Sequence, residues 1–172
     1  DIAVSFGGDR ELLDNSKNDM ILAVILAVVL VFIVMAAQFE SFKYPFVIMF
    51  TVPLVVIGIF IGLFTTNLPI SISAIIGILI LVGIVVNNGI VLVDYINQRK
   101  RDGMPSYDAI ITSVRDRVRP ILMTALTTIL GLVPLALGIG EGTEINQPMA
   151  ITVIGGLISS TFLTLYVVPV IY

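Results

Sequence analysis

The stretch "YPFVIMFTVPLVVIGIFIGLFTTNLPISISAIIGILILVGIVVNNGIVLV", residues 44–93, runs for fifty residues without an Asp, Glu, Lys or Arg. A helix needs roughly 20 apolar residues to cross a hydrocarbon core about 30 Å thick, so this run is about two spans long. "TTNLPIS", residues 65–71, divides it, because Asn and Pro set among Thr and Ser punctuate helices and read as a turn. Three further runs carry no charge, at residues 20–39, 120–140 and 145–172, and each is one span. The chain therefore reads as an all-α membrane protein, a five-helix transmembrane bundle with spans at about 20–39, 45–65, 72–96, 120–138 and 148–172.

Composition supports this division. Of 172 residues, 58% are hydrophobic and 12% charged, and the mean hydropathy of +1.10 leaves too little polar surface to cover a water-soluble globule. Without Cys there is no disulfide framework or thiolate metal site, and without His a zinc hydrolase or His-based triad has no core residue. No metal or cofactor is implied, and nothing points to nucleic acid. Seven of the nine basic residues, Lys43, Arg99, Lys100, Arg101, Arg115, Arg117 and Arg119, fall in two connections, which the positive-inside rule places in the cytoplasm. The connections at 65–71 and 139–147 have none, and the second carries Glu141 and Glu144. This alternation puts the N-terminus outside the cytoplasm and Tyr172 near the cytoplasmic face.

"DIAVSF", residues 1–6, alternates Ile2, Val4 and Phe6 with polar or small residues, the period of a half-buried strand. Residues 1–8 thus read as the end of an extracytoplasmic domain, closed by a hinge at Gly7 and Gly8. No signal peptide opens the chain, which reads as a piece of a longer protein. Residues 9–172 form the transmembrane domain, entered by a helix with Asp9 as N-cap and Glu11 near the positive end of its dipole. Phe39, Phe42, Tyr44 and Phe46 beside Glu40 and Lys43 make an interfacial belt. Pro45 suits a first helical turn, whereas Pro53 and Pro134 lie deeper and predict kinks. Gly58 and Gly62, then Gly155 and Gly156 with Ser159 and Ser160, have the small-xxx-small spacing that lets helix backbones approach. "MPSYDAIITSVRDRV" places Ile110, Ile111, Val114 and Val118 at helical spacing, an amphipathic cytoplasmic helix at about 105–117.

Polar residues inside an apolar span need a reason, and "GIVVNNGIVLVDY", residues 83–95, has two adjacent asparagines. Asn87 and Asp94 are seven apart and share a helix face to within about 20°. Gly83 lies on that face too and is expected, with the other glycines, to let a neighbouring helix pack close, and Asn88 points about 100° away. An amide facing lipid would be unsatisfied, so the face looks into a bundle or an aqueous path. Two readings are open: interhelical hydrogen bonding, at about 0.6 kcal/mol per bond on average, and a water-lined proton or ion relay. Asp94 can titrate, but one turn from Arg99 and Lys100 it reads as a solvated interfacial carboxylate. If the fourth helix runs through Pro120, Arg117 and Thr124 also share a face. Arg117 and Arg119 fit plain positive-inside anchoring, and Thr124, Thr127 and Thr128 fit bonding to their own backbone four residues back.

Three motifs, "AAQFESFKYPFVIMFTVPL", "GIVVNNGIVLVDY" and "RVRPILMTALTTILGLVPLALG", resemble the resistance-nodulation-division (RND) efflux transporters, specifically the hydrophobe/amphiphile, AcrB-like branch. The resemblance covers practically the whole chain and implies the last five helices of a twelve-helix domain. It implies a proton-driven multidrug or amphiphile efflux pump of the bacterial inner membrane, a homotrimer that needs its own N-terminal half, membrane lipid and amphiphilic substrates. It also implies a relay in which Arg117 and Thr124 occupy the arginine and threonine positions. Asn87 falls where the family commonly has a lysine, in "VVKNA", and Asn88 matches the family's asparagine. A lysine can switch carboxylate partners; an amide offers only a neutral hydrogen bond. The six methionines form no ladder, which disfavours a heavy-metal exporter branch. A protein-translocation subunit of the same superfamily (SecD/SecF-like) is the alternative, and "QFESFKYP" and "RPILMTAL" argue against it. An intramembrane enzyme would need a nucleophile with a base, or paired aspartates deep in the spans, and the chain has neither.

Overall fold

In the computed structural model, residues 2–172 are described, with side chains from Gly8 onward. Five long helices follow one another: α1 (Ile2–Phe39), α2 (Lys43–Thr66), α3 (Ile72–Arg101), α4 (Ser106–Ala136) and α5 (Gln147–Ile171). A single 3₁₀ turn, Thr143–Ile145, precedes α5. All five are long and apolar enough to cross a membrane.

The strand expected at residues 1–6 is not formed: from Ile2 the backbone is helical and continues through Gly7 and Gly8, so neither strand nor hinge appears there. Asp1 lies outside the described residues. The physical reason is hydrogen bonding. A strand must pair its backbone groups laterally, and no second strand occurs among the described residues, whereas a helix satisfies its own N–H and C=O groups.

The α2–α3 connection forms where "TTNLPIS" predicts. Asn67 ends α2 in the left-handed region at φ 53°, and its amide and that of Leu68 return to the carbonyls of Phe64 and Leu63. Ser71 then opens α3 as its N-cap, its Oγ accepting from the Ala74 amide at 3.3 Å. At the other end, Arg99, Lys100 and Arg101 occupy the last turn of α3, where the helix dipole favours cations.

Helix α5 is the centre of the bundle and packs against α2, α3 and α4. Between helices in lipid there is no hydrophobic force to draw them together, so close steric fit must do it. Small residues supply that fit. A Cβ on Gly58 would sit 2.8 Å from the Gly155 carbonyl and against the Ser159 side chain, and one on Gly155 would sit 2.9 Å from the Gly58 carbonyl. Gly62 packs beside Gly155, and Gly156 receives Leu81 of α3 and Ile59 of α2. Gly77, unremarked in the sequence pattern, makes the α3–α5 approach: its Cβ would lie 2.9 Å from the Met149 carbonyl. Leu81, Val85, Val55, Ile59 and Leu157 fill the core between these contacts. Buried hydroxyls on α5 turn back on their own helix, Ser160 and Thr161 donating to the Leu157 carbonyl at 3.0 and 2.7 Å.

The segment expected as a separate amphipathic helix is the first part of α4, which continues through Pro120 and Pro134 to Ala136. Pro53 likewise lies within an unbroken α2. The far end of α4 closes on Gly138 at φ 69°, where the Gln147 side-chain amide of α5 donates to the Ala136 carbonyl at 2.8 Å.

Candidate functional site

The face of α3 singled out by periodicity is an open one. Gly83, Asn87 and Asp94 are all exposed, while Asn88, about 100° around the helix, is buried at 8% exposure. Gly83, expected among the packing glycines, has nothing within 4 Å of the position a Cβ would take. It packs against nothing in this chain because its face turns away from α2 and α5. Neither Asn87 nor Asn88 makes a side-chain hydrogen bond to a described residue, so neither links two helices within this chain.

Helix α4 presents a second open face. Thr124 is exposed and donates to the Pro120 carbonyl at 2.9 Å; Thr128 does the same to Thr124. Pro120 has no N–H, and these hydroxyls bond locally rather than across to α3. Arg117, two turns before Thr124 on the continuous helix, is half-buried. Its Nε is buried with no hydrogen-bond partner, and its guanidinium carbon lies 4.5 Å from the centre of the Tyr95 ring of α3.

A polar cluster ties the basic ends of α3 and α4 together. Arg99 Nη2 donates to the Tyr95 hydroxyl at 2.6 Å and pairs with Asp116 Oδ2 at 3.2 Å, and the Tyr95 hydroxyl donates to the same oxygen at 3.1 Å. Arg99 thus pairs with Asp116 of α4, and Asp94 is exposed. A second cluster lies beside it. Tyr172 stacks on Tyr44, donates to Asn97 Oδ1 and lies under the Lys100 ammonium. Between α1 and α3, a cavity of about 400 Å³ is lined by Tyr44, Asp94, Asn97, Lys100 and Arg101. Neither cluster is visible from spacing alone; the only local signal is the i, i+4 relation of Tyr95 and Arg99.

The whole chain, residues 1–172, matches the model of the AcrB/AcrD/AcrF family. The chain belongs to that family. Its relatives include the swarming motility protein SwrC of Bacillus subtilis (strain 168), 41% identical over 172 residues, covering 99% of this chain and 16% of that protein. The multidrug resistance protein MdtC of Erwinia tasmaniensis is 40% identical over 169 residues, and MdtC of Escherichia coli K12 38%, each match covering 98% of this chain and 16% of the relative. Among solved structures, a heavy metal efflux pump superposes with a TM-score of 0.79 at 32% identity, covering 91% of this chain and 16% of the pump. The RND membership implied by the three motifs therefore holds across the chain, which spans about a sixth of the length of these AcrB-family relatives. The open faces of α3 and α4 therefore belong to a multi-pass membrane segment.

Proposed function

We propose that this chain is the last five helices of the membrane domain of a proton-driven exporter of amphiphilic small molecules, and that the open faces of α3 and α4 meet the N-terminal half of the same protein. One observation carries the reading: Asn87 on α3 and Thr124 on α4 are polar yet exposed on helices built to lie in hydrocarbon. Such side chains in a span turn toward protein or water rather than lipid. In this reading Asn87 orients a carboxylate or water supplied by the N-terminal half, Arg117 provides the fixed positive charge, and Thr124 provides a hydroxyl. Asn88 holds the helix contact, and Asp94 stays a solvated carboxylate at the membrane edge. The proton gradient supplies the energy and no cofactor is required. The basic ends of the helices face the cytoplasm, the N-terminus faces outward, and the assembly is a homotrimer in the bacterial inner membrane. The named roles of the relatives, multidrug resistance for MdtC and heavy metal efflux for the solved pump, support export as the common activity.

The test is export by the full-length protein in vesicles under an imposed pH gradient. Arg117→Ala is expected to lower the export rate at least roughly tenfold, the equivalent of about 1.4 kcal/mol. Asn87→Ala is expected to lower it by less and to make the loss depend on external pH. Intact export by Asn87→Ala at every external pH would remove Asn87 from the relay, and intact export by Arg117→Ala would overturn the coupling scheme.

A further inference from the structure

The proposed relay uses Arg117, and the structure shows what holds it. Among the described residues Arg117 makes no ion pair; its contact is the face of Tyr95, with the guanidinium carbon 4.5 Å from the ring centre and the Nε buried without a partner. An arginine over an aromatic face is attracted through the flat of its guanidinium, which leaves the N–H edge available for other acceptors. The ring that carries it is itself fixed. The Tyr95 hydroxyl accepts from Arg99 at 2.6 Å and donates to Asp116 at 3.1 Å, so a side chain with only two torsions is tied at its outer end. Arg99 also takes Asp116 Oδ2 at 3.2 Å, which commits the carboxylate next to Arg117 in sequence to the other helix.

We propose that Tyr95 is a positioning residue for Arg117: its ring, clamped between Arg99 and Asp116, holds the guanidinium with Nε enclosed by this chain, so that the terminal N–H groups face an acceptor contributed by the remainder of the full-length protein. This inference rests on the reading of Arg117 as the relay arginine. Among the described residues, the charged or titratable groups beside Arg117 are Tyr95 of α3 with the Arg99 that binds its hydroxyl, and Arg115, Asp116 and Arg119 of its own helix. Helix α5, also packed on α4, has no Asp, Glu, Lys or Arg, and its Tyr166 is exposed. An arginine held close to a carboxylate keeps that carboxylate ionised to lower pH, so loosening the arginine raises the carboxylate's pKa. The pH at half-maximal export therefore moves upward when Tyr95 no longer holds Arg117.

The experiment compares full-length wild type with Tyr95→Leu, Tyr95→Phe, Arg99→Leu and Arg117→Ala. Export of a fluorescent amphiphilic cation from proteoliposomes is recorded as a function of pH, with the amount and size-exclusion profile of each variant measured alongside. Tyr95→Leu is expected to slow export roughly three- to tenfold, the range a cation–π contact spans, and to move the pH midpoint upward. Tyr95→Phe keeps the face and is expected to recover most of the rate. Arg99→Leu unclamps the hydroxyl and is expected to move the midpoint in the same direction by less. If Tyr95→Leu does not fold, the midpoints of Tyr95→Phe and Arg99→Leu decide: an upward shift in Arg99→Leu supports the inference, and wild-type midpoints in both overturn it. A folded Tyr95→Leu that exports at the wild-type rate, or more slowly with an unmoved midpoint, also overturns it. Wild-type export by Arg117→Ala would instead sink the relay reading itself, whereas an inactive Arg117→Ala beside unaffected Tyr95 and Arg99 variants would sink only the positioning role.

Discussion

Helices α3 and α5 each bury half of their most apolar stretch inside the chain, whereas α1 buries 6% and α4 11% of theirs. The inner pair and α2 are joined by glycine contacts and an interdigitated core. Helix α1 is held chiefly toward its C-terminal end, where Met35 is buried and Val28, Val31 and Phe39 pack, while Ile21, Leu22, Ile25, Leu26 and Leu30 remain exposed. In water this difference would mark an unstable helix. In lipid it costs little, because acyl chains are as apolar as leucine, and it distinguishes surfaces completed by this chain from those completed by bilayer or by the rest of the protein.

Truncations and insertions at matched positions of the full-length protein can break the comparison. Leu81→Ala, in the α3–α5 core, is expected to cost about 2–5 kcal/mol in a denaturant titration in detergent, while Leu26→Ala on α1 is expected to cost less than about 0.5 kcal/mol. Equal losses would show that α1 is packed as tightly as the centre. Gly58→Val forces a side chain against the Gly155 carbonyl and Ser159, an overpacking of roughly 1–3 kcal/mol, visible as a lowered melting temperature. Gly83→Ala sharpens the contrast by its sign. On a bare helix face the exchange gains up to about 1 kcal/mol. The proposed docking of the N-terminal half on this face predicts a loss instead, and a gain would place the face against lipid. Smallest is Arg99→Leu, whose half-exposed ion pair with Asp116 is expected to contribute no more than about 1 kcal/mol and to fade as salt is added.

The spans, the turn at Asn67 and the small-residue spacing on α2 and α5 were legible in the sequence because each rests on local composition or short-range spacing, whereas the pairing of those two helices was not. Residues 1–6 misled because alternation describes a strand only if a partner exists, and the pattern itself contains no information about partners. Gly83 shows the limit of spacing in another way: it marks where a backbone could approach, and no helix of this chain does so there. Periodicity placed Asn87 and Asn88 on different faces, and one is exposed and the other buried. The Tyr95, Arg99, Asp116 and Arg117 cluster was not legible, since Asp116 lies 17 residues beyond Arg99. Its formation depends on how the connection after α3 returns the chain into α4.

That continuous α4 is tied to its neighbours at two points: Asp116, partway along its first half, grips Arg99 and Tyr95, and the Ala136 carbonyl at its last residue is held by Gln147. Mechanically it is a beam pinned at two points, with Pro120 and Pro134 interrupting its internal hydrogen-bond ladder. A beam so fastened bows or twists far more readily than it slides along its axis.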